Sequence, residues 1–447
     1  MAVTLPHASV SSAPSMSEVL PSALGGWRPL AWLGYIAVLV AAPLVFDSGA
    51  SISFLSQLGC LIVFGLSFNM LLGQGGMLSF GHAVYSGLGG YVAVHVMNAS
   101  AAAGSGLYVP LVLIPVVGGV AGLFFGVVLG YVPTKKAGTT FAMITMGMGE
   151  LVYAFTQLFP RFFGGESGIT TSRSYGSGFL GFSFGPQIQV YYLIVVWLVV
   201  CTVAMYAFTQ TPLGRIANAV RDNAERAEFI GYDTRKVRYL LLIISTFFAG
   251  ISGALAAINF EIVGAESVSA AHSGNGLLFT FIGGVGSFVG PILGAVASGF
   301  LTTKLSDYTM AWQLYLGVFF ILFVMYAPGG LAAIFSANWR VLRAGLFARV
   351  LPQWLSVVAA SAVMLAGSIV VVELSYALAF GAQKAAAAQF LASLTPFWNA
   401  ALWALGIGLL AAGGFWLMKS RKAFRNQWEQ VQADMAHGSQ QAPGGLA

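Results

Sequence analysis

The sequence predicts an all-α polytopic membrane protein with about 10–11 hydrophobic helical segments, one of them broken or re-entrant. Charged residues are 8% of its 447 residues and hydrophobic residues are 58%, whereas soluble domains carry about 25% charged residues. The apolar residues form long continuous runs, and a helix of about 20 such residues crosses a bilayer. Transmembrane strands would instead alternate apolar and polar residues with period two. These runs therefore favour helices over a β-barrel.

The apolar runs give the candidate spans in chain order: 30–46, 52–72, 79–97, 108–132, 138–159, 190–209, 237–260, 275–303, 311–327, 353–380 and 394–418. Before them, residues 1–26 are rich in Ser, Ala and Pro and predict a flexible cytoplasmic tail. After them, residues 426–447 are polar and predict a second one. We therefore expect a transmembrane domain over 27–331 and a C-terminal extension over 332–425 that contains two extra spans.

Basic residues orient these spans, because cytoplasmic loops carry an excess of Lys and Arg. Basic clusters follow the spans 108–132, 190–209, 311–327 and 394–418. If the N-terminus is cytoplasmic, the first two clusters are cytoplasmic as well. The last two join them only if the segment 275–303 returns to the side from which it entered. The charges thus predict cytoplasmic termini and a broken or re-entrant segment; the alternative is one kinked helix and a miscounted span elsewhere.

The residues of that segment are suited to a break. Gly283-Gly284-Val285-Gly286 and Gly290-Pro291 interrupt the apolar run twice, and both Gly and Pro weaken a helix. Backbone groups freed inside a membrane need partners in a protein-lined cavity. We therefore expect the helix to be interrupted between residues 283 and 291.

Four glycines in the span 108–132 follow one another at four-residue spacing: Gly118, Gly122, Gly126 and Gly130. Residues four apart lie on one face of a helix. A face of small residues lets another membrane helix approach closely. These glycines are therefore predicted to pack a neighbouring helix.

The segment 212–231, between two spans, predicts an amphipathic helix. Thr211 is a suitable N-cap, Pro212 a suitable first residue and Gly231 a suitable stop. Apolar residues recur on one face at helical spacing: Leu213, Ile216, Ala217, Val220, Ala224 and Ala227. Opposite charges four residues apart predict two ion pairs on the other face: Arg221–Glu225 and Asp222–Arg226.

Such a helix could lie on the lipid surface or dock on a protein. Acidic residues alternate with the bases in and after it: Asp222, Glu225, Glu228 and Asp233. Anionic headgroups would repel these acids, whereas mixed charge suits a protein surface. We therefore predict that this helix docks on a protein partner.

Four motifs resemble the permease subunits of ABC importers for hydrophobic (branched-chain) amino acids. They lie at 73–83 (GQGGMLSFGHA), 164–169 (GGESGI), 214–231 around Arg221-Asp222-Asn223, and 282–291 (IGGVGSFVGP). Residues 327–331, with the sequence APGGL, are similar to the closing motif of that family. The resemblance extends from about residue 57 to residue 331, so the domain at 27–331 would be the permease domain.

The resemblance implies one subunit of a larger assembly in the bacterial plasma (inner) membrane. The implied partners are a second permease subunit, two cytoplasmic ATP-binding subunits and an extracytoplasmic solute-binding protein. The chain has no Gly-x-x-x-x-Gly-Lys-Ser/Thr loop, so ATP would be bound by partner subunits, and this chain would bind no cofactor. The basic residues lie in short clusters typical of topology signals, so the net charge of +6 does not indicate nucleic-acid binding.

In such importers a cytoplasmic helix couples the ATPases to the pore. The resemblance therefore gives that role to the segment 212–231. Its candidate coupling residues are Arg215, Arg221, Asp222, Asn223, Glu225 and Gly231.

The candidate substrate pathway combines polar residues with glycines, because the charged ends of an amino acid need polar side chains and accessible backbone. Glu150 lies within a span, where a charge is costly and indicates function; a hydrogen bond to a neighbour is the alternative. For His82 a structural role is the favoured alternative. The candidates are Gln74, Gly75, Gly76, Ser79, His82, Glu150, Gly283, Gly284 and Gly286.

No catalytic residue and no metal site are predicted. The histidines at positions 7, 82, 95, 272 and 437 lack metal-ligand spacing, and no nucleophile–base pair can be assembled. We expect a non-enzymatic permease subunit that moves branched-chain or other hydrophobic amino acids into the cytoplasm. Two alternatives stay open: import of urea or short amides, and a stand-alone secondary transporter using intramembrane acids such as Glu150 and Glu373.

Overall fold

The computed structural model describes residues 28–102, 108–175, 183–309, 311–327, 329–343, 345–380 and 396–441. The tail predicted at 1–26 lies outside the described residues, and so does the end of the second tail, 442–447.

The described residues are mainly helical. The helices in chain order are α1 Arg28–Val45, α2 Gly49–Asn69, α3 His82–Ala101, α4 Ile114–Gly130, α5 Gly138–Leu158, α6 Pro160–Phe163, α7 Gln187–Gln210, α8 Pro212–Asp222, α9 Ala224–Phe229, α10 Thr234–Phe260, α11 Ala270–Gly283, α12 Gly290–Tyr308, α13 Trp312–Tyr326, α14 Gly330–Arg343, α15 Phe347–Phe380 and α16 Pro396–Gln441. Two short strands, β1 Ile169–Thr170 and β2 Ile262–Val263, pair antiparallel.

The all-α polytopic prediction is confirmed. By length and composition, six helices of the described part could cross a membrane, or seven if the bent pair α13–α14 counts as one span. Their outer faces carry large exposed apolar side chains such as Val127, Val196 and Leu240. Such faces suit a lipid solvent.

The chain divides into two compact units. The first contains the residues up to Gly299 together with Pro328–Leu331, and the second contains Phe300–Ala327 and the residues from Ala332 onward. Helices α2 and α10 lie at the centre of the first unit. Of the most apolar stretch of each helix, 83% is buried in α2 and 78% is buried in α10.

The first unit has two ends, which we name by their residues. The basic end comprises residues 131–136 and 211–238, and the loop end comprises residues 159–175 and 261–269. Helix α10 has 27 residues, a length of about 40 Å, and runs from the basic end to the loop end.

The glycine face of α4 packs against α10. A Cβ atom at Gly118 would lie 2.7 Å from the carbonyl oxygen of Gly250, and one at Gly122 would overlap the carbonyl oxygen of Thr246. The other two glycines of this face also meet α10. The two backbones are therefore in direct contact, which larger residues would prevent.

The predicted segment 275–303 is broken into α11 and α12, and the chain folds back between them. Gly284 has a φ of +111° in the intervening turn. A Cβ atom at Gly283 would overlap the backbone of Gly290, and one at Gly294 would overlap the backbone of Phe279. Later residues of α12 thus meet earlier residues of α11, so one kinked helix is excluded.

The turn between α11 and α12 lies beside the end of α2. From there α12 follows α2 in the opposite direction, since Gly65 faces Pro291 and Gly299 faces Leu58. Helix α11 begins near the loop end, where His272 lines a cavity with Glu166. The hairpin therefore enters from the loop end and turns back towards it.

In the second unit α15 and α16 form an antiparallel pair. The indole Nε1 of Trp416 donates to the hydroxyl of Ser356 at 3.2 Å, and the amide of Gln427 donates to the carbonyl of Arg349 at 2.6 Å. Helix α16 continues to Gln441, so residues 426–441, where the sequence predicts a flexible tail, are helical. Phe424, Trp428 and Val431 recur at helical spacing and hold the polar segment in the apolar cluster around Val350.

Glu373, an acidic residue of α15, has partners within the second unit. Its Oε1 accepts hydrogen bonds from the hydroxyls of Thr309, at 2.6 Å, and Tyr315, at 3.1 Å. These bonds give the carboxyl a structural role.

The α4–α10 contact predicts the outcome of a single substitution. Gly122→Ala should destabilise the chain by about 1–3 kcal/mol, because the added methyl group forces two backbones apart. The measurement is the midpoint of heat-induced aggregation of the detergent-solubilised protein. Gly34→Ala is the matched control, since a Cβ atom there would meet nothing within 4 Å. Equal midpoints for the two variants would contradict the packing.

Candidate functional site

The segment predicted as one amphipathic helix consists of two helices, α8 and α9. The hydroxyl of Thr211 caps α8 by accepting from the backbone N–H of Gly214 at 3.2 Å, and Gly231 has a φ of +92° after α9. Between the two helices, Asn223 is extended and caps α9 by accepting from the N–H of Arg226 at 2.9 Å. Because an Asn side chain competes for backbone N–H groups, the prediction of one continuous helix is wrong at this residue.

The break at Asn223 changes the ion pairs of this segment. The predicted pairs Arg221–Glu225 and Asp222–Arg226 needed a continuous helix. Instead, the Arg221 guanidinium pairs with the neighbouring Asp222, with Nη2 at 2.8 Å from Oδ1. We call residues 211–231 the coupling segment.

The apolar stripe of the coupling segment packs into the first unit itself. Ala217, Val220 and Ala227 are buried in one cluster with Leu71, in the π-helical turn that follows α2, and Leu241 of α10. The stripe therefore fixes the segment to the helices and leaves its other face exposed.

A side-chain hydrogen bond joins the coupling segment to α10. The hydroxyl of Thr234 donates to Oε1 of Glu228 at 2.7 Å. Asp233 caps α10 by accepting from the N–H groups of Arg235 and Lys236, and the bond from Lys236 lowers the pKa of the Asp233 carboxyl. The segment and α10 are thus held together at the basic end.

The exposed face of the coupling segment combines charges with an apolar tip. Arg215, Asp222 and Glu225 are exposed. At the end of α9, Phe229 is 89% exposed and Ile230 is 66% exposed. The sequence-based prediction did not include these two apolar residues. Their exposure could have been predicted from their position outside the apolar stripe, directly before Gly231.

Arg221 faces the interior of the chain. Its Nη1 donates to the carbonyl of Gly73, which lies in the π-helical turn Met70–Gln74 that continues α2. Gly76 has a φ of +64°, and a Cβ atom there would lie 2.7 Å from Cγ of Arg221. The glycine at position 76 therefore makes room for this side chain.

Gly73 also meets the turn between α11 and α12. A Cβ atom at Gly73 would lie 2.5 Å from the carbonyl oxygen of Val285. Beside it, the Asn69 amide donates to the carbonyl of Ser287 at 3.3 Å. We call this meeting point, made of residues 69–76, residues 283–290 and the Arg221 side chain, the glycine junction.

The junction includes most of the candidate pathway glycines. Gly75 packs against Leu241, and Gly284 lies against the backbone of Gly330, in the motif at 327–331. Gly286 differs, since it is exposed and a Cβ atom there would meet nothing within 4 Å.

His82 begins α3 and is fully buried. Its Nε2 lies 3.0 Å from the hydroxyl of Ser67, and this hydroxyl donates to the carbonyl of Phe64 at 2.7 Å. Because a hydroxyl has one proton, Nε2 must be the donor to Ser67, which leaves Nδ1 as an acceptor. The rings of Phe64 and Phe68 flank the imidazole.

Several buried polar atoms near the junction have no hydrogen-bond partner among the described residues: Asn69 Oδ1, Gln74 Oε1, Ser79 Oγ, His82 Nδ1 and the Tyr85 hydroxyl. Native proteins contain few such atoms. The predicted candidates Gln74, Ser79 and His82 thus each contribute a buried polar atom that has no partner among the described residues.

Glu150 differs from these candidates, since it is exposed. One face of α5 packs inward, where Thr145 accepts from the N–H of Phe80 at 3.2 Å. The opposite face is exposed, and it carries Glu150 together with Met143 and Phe155. An outward carboxylate is costly in lipid, so this face is typical of a polar pathway or a protein interface.

A cavity of about 650 Å³ opens at the loop end. Glycines of α3 and α10 form part of its wall, and its polar lining residues are Ser86, Tyr153, Gln157, Glu166, Ser167, Glu266, Ser267 and His272. Glu166 and Ser167 belong to the motif at 164–169. The cavity therefore lies at the end of the first unit opposite the coupling segment.

Comparisons with known proteins relate the chain to transport permeases. The sequence model of a family described as the permease component of branched-chain amino acid transport systems matches residues 51–327. The high-affinity branched-chain amino acid transport system permease protein LivM of Salmonella typhimurium is 26% identical over 320 residues, which are 67% of this chain and 73% of that protein. LivM of Escherichia coli is 26% identical over 291 residues, or 60% of this chain and 67% of that protein.

A more distant relative is the ribose import permease protein RbsC of Haemophilus influenzae. It is 24% identical over 215 residues, which are 45% of this chain and 60% of that protein. No solved structure matches the chain. The region matched by the family model contains the coupling segment, the glycine junction and the cavity at the loop end.

Proposed function

The chain belongs to the family of permease components of branched-chain amino acid transport systems, and we propose that it is the permease subunit of an ABC importer for branched-chain amino acids. The observation that carries this function is the family match over residues 51–327. Urea and short amides are not favoured as cargo, since the family and both LivM relatives are named for branched-chain amino acids.

The basic end faces the cytoplasm in this proposal, as the positive-inside rule requires. Both termini then lie in the cytoplasm, because the α11–α12 hairpin returns to the side from which it entered. The loop end faces outward and receives the cargo from a solute-binding protein. Its cavity offers carboxylates of Glu166 and Glu266 to the ammonium group of an amino acid.

The coupling segment docks on one of two ATP-binding subunits. The exposed Phe229 and Ile230 would enter an apolar groove of that subunit, since buried aromatic side chains contribute much of the binding energy in protein interfaces. The exposed charged residues Arg215, Asp222 and Glu225 of the same segment would set its orientation. ATP is bound and hydrolysed by the partner subunits, and this chain supplies the path through the membrane.

The outer face of α5 meets the second permease subunit. Glu150 and the exposed methionines of this face would then line the pathway between two permeases and avoid lipid. A stand-alone secondary transporter is the weaker reading, because Glu373, the other acidic candidate, already accepts two hydrogen bonds in the second unit.

Uptake of labelled leucine tests the energy source and the cargo together. Cells expressing this chain with its ATP-binding subunits and solute-binding protein should accumulate leucine. A substitution in the ATP site of the ATP-binding subunit should abolish uptake, because the chain itself hydrolyses no ATP. Uptake that survives this substitution would support a secondary transporter. Uptake of labelled urea or amide without leucine uptake would show that the cargo is a small polar compound, and the proposed ABC-importer architecture would stand.

The docking role of the apolar tip predicts the effect of Phe229→Ala. This variant should retain the ATP-binding subunits at least about tenfold less well, since removal of a buried aromatic anchor costs 2 kcal/mol or more. The measurement is the amount of ATP-binding subunit that copurifies with the tagged chain. Leu44→Ala removes an equally exposed apolar side chain (82% exposed) outside the coupling segment and serves as the control. Equal copurification for both variants would refute the docking role.

The position of the second permease predicts a crosslinking pattern. A photoreactive amino acid at Met143, which is 74% exposed on α5, should capture the second permease subunit in membranes. The same probe at Phe124, which is 58% exposed on α4, should capture lipid instead. Capture of that subunit from position 124 but not from 143 would place the interface on α4 and contradict the proposal.

A further inference from the structure

We propose that Arg221 is a positioning residue that transmits movement of α8 to the α11–α12 turn, through the carbonyl of Gly73. This inference rests on the proposed function, because movement of α8 presupposes ATP-driven partners. It assigns Arg221 a role inside the chain, where the sequence had placed it among the residues that dock on the ATP-binding subunit.

The hydrogen bonds of Arg221 are directed at its own chain. Nη1 donates to the carbonyl of Gly73, while Nε and Nη2 donate to Oδ1 of Asp222 at 2.9 and 2.8 Å. The Arg221 side chain is 36% exposed, against 67% for Asp222. Asp222 thus orients the guanidinium, and the donor nearest the interior reaches Gly73.

The carbonyl of Gly73 is well suited to receive this bond. It lies at the end of the π-helical turn Met70–Gln74, and the last carbonyls of a helix have no partner within it. A cation at the end of α8 is also favourable with respect to the helix dipole. The bond therefore joins the ends of two helices, each of which gains from it.

Gly73 has no side chain, so its backbone directly contacts the backbone of the α11–α12 turn. Its Cα faces the carbonyl of Val285, and Asn69, one turn earlier, donates to the carbonyl of Ser287. A side chain could absorb a small shift by changing rotamer, but two backbones in contact cannot. Displacement of the Arg221 guanidinium must therefore move residues 284–289 or break the bond.

The side chain at this position has to make two kinds of contact. The planar guanidinium bonds to Asp222 with one edge and to Gly73 with another nitrogen, while its methylene groups cover the Cα of Gly76. A lysine has one ammonium group and cannot reproduce the fork. Lysine should therefore retain part of the function, and glutamine should lose it.

The test uses the complete importer in proteoliposomes, with leucine-loaded solute-binding protein outside and ATP inside. In Arg221→Gln, leucine uptake per ATP hydrolysed should fall by about tenfold, as expected when one charged hydrogen bond is lost. The amount of ATP-binding subunit in the complex should stay unchanged. Arg221→Lys should be intermediate, a partial rescue that also shows that the effect is not misfolding.

Arg235→Gln is the matched control. It removes the same charge from an exposed residue on the first turn of α10, and its uptake per ATP should equal that of the wild type. Wild-type uptake per ATP in Arg221→Gln would overturn the inference. Loss of the ATP-binding subunits from that variant would also overturn it, in favour of docking.

A second measurement needs neither cargo nor ATP. Hydrogen–deuterium exchange of the full chain within its complex should be faster at residues 284–289 in Arg221→Gln, and unchanged there in Arg235→Gln. Unchanged exchange in both variants would overturn the link between Arg221 and the turn. Absence of leucine uptake by the wild type would count against the proposed function instead, and the exchange measurement would still decide the role of Arg221.

Discussion

Direct backbone contact at glycines is the constraint on which the structure of the first unit depends. At the α4–α10 interface, Gly122 brings one helix onto the backbone of another, and at the glycine junction Gly73 does the same for the α11–α12 turn. In lipid, apolar side chains gain little by meeting one another, so close approach and hydrogen bonds carry the association of helices. At these contacts no side chain separates the two backbones. The proposed transmission of movement through the glycine junction depends on this direct contact.

Charge is used sparingly, and several charged groups of the described residues have defined partners. The coupling segment and α10 concentrate acids and bases at the basic end, where they cap helices and bind one another. Arg221 is the exception that also reaches inward, since its Nη1 donates to the carbonyl of Gly73. Glu373 is bound by two hydroxyls, while Glu150 is exposed on α5. This contrast separates a structural acid from one that needs a partner or a pathway.

Periodicity, glycine spacing and the distribution of Lys and Arg predicted most of the long apolar helices, the glycine face of α4 and the break in the segment 275–303, but not helix α14. Competition between the Asn223 side chain and the helix backbone for N–H groups was harder to foresee. Asn223 ends α8 because its side chain caps α9. At 424–431 a polar composition concealed three apolar residues at helical spacing, which pack this part of α16 into the cluster around Val350. The partner of Arg221 lies 148 positions away in sequence, and no local pattern indicates such a contact. The sequence therefore named Arg221 as a candidate and predicted Glu225 as its ion-pair partner, whereas the structure pairs it with Asp222.

The most direct test of mechanical continuity through the glycine junction is cryo-electron microscopy of the complete importer in its nucleotide-free and ATP-bound states. The measured quantities are the Arg221–Gly73 distance and the position of residues 284–289 relative to α10. A rigid junction predicts that the bond is present in both states and that the turn shifts together with α8. A turn that stays fixed while α8 moves away from Gly73 would contradict it.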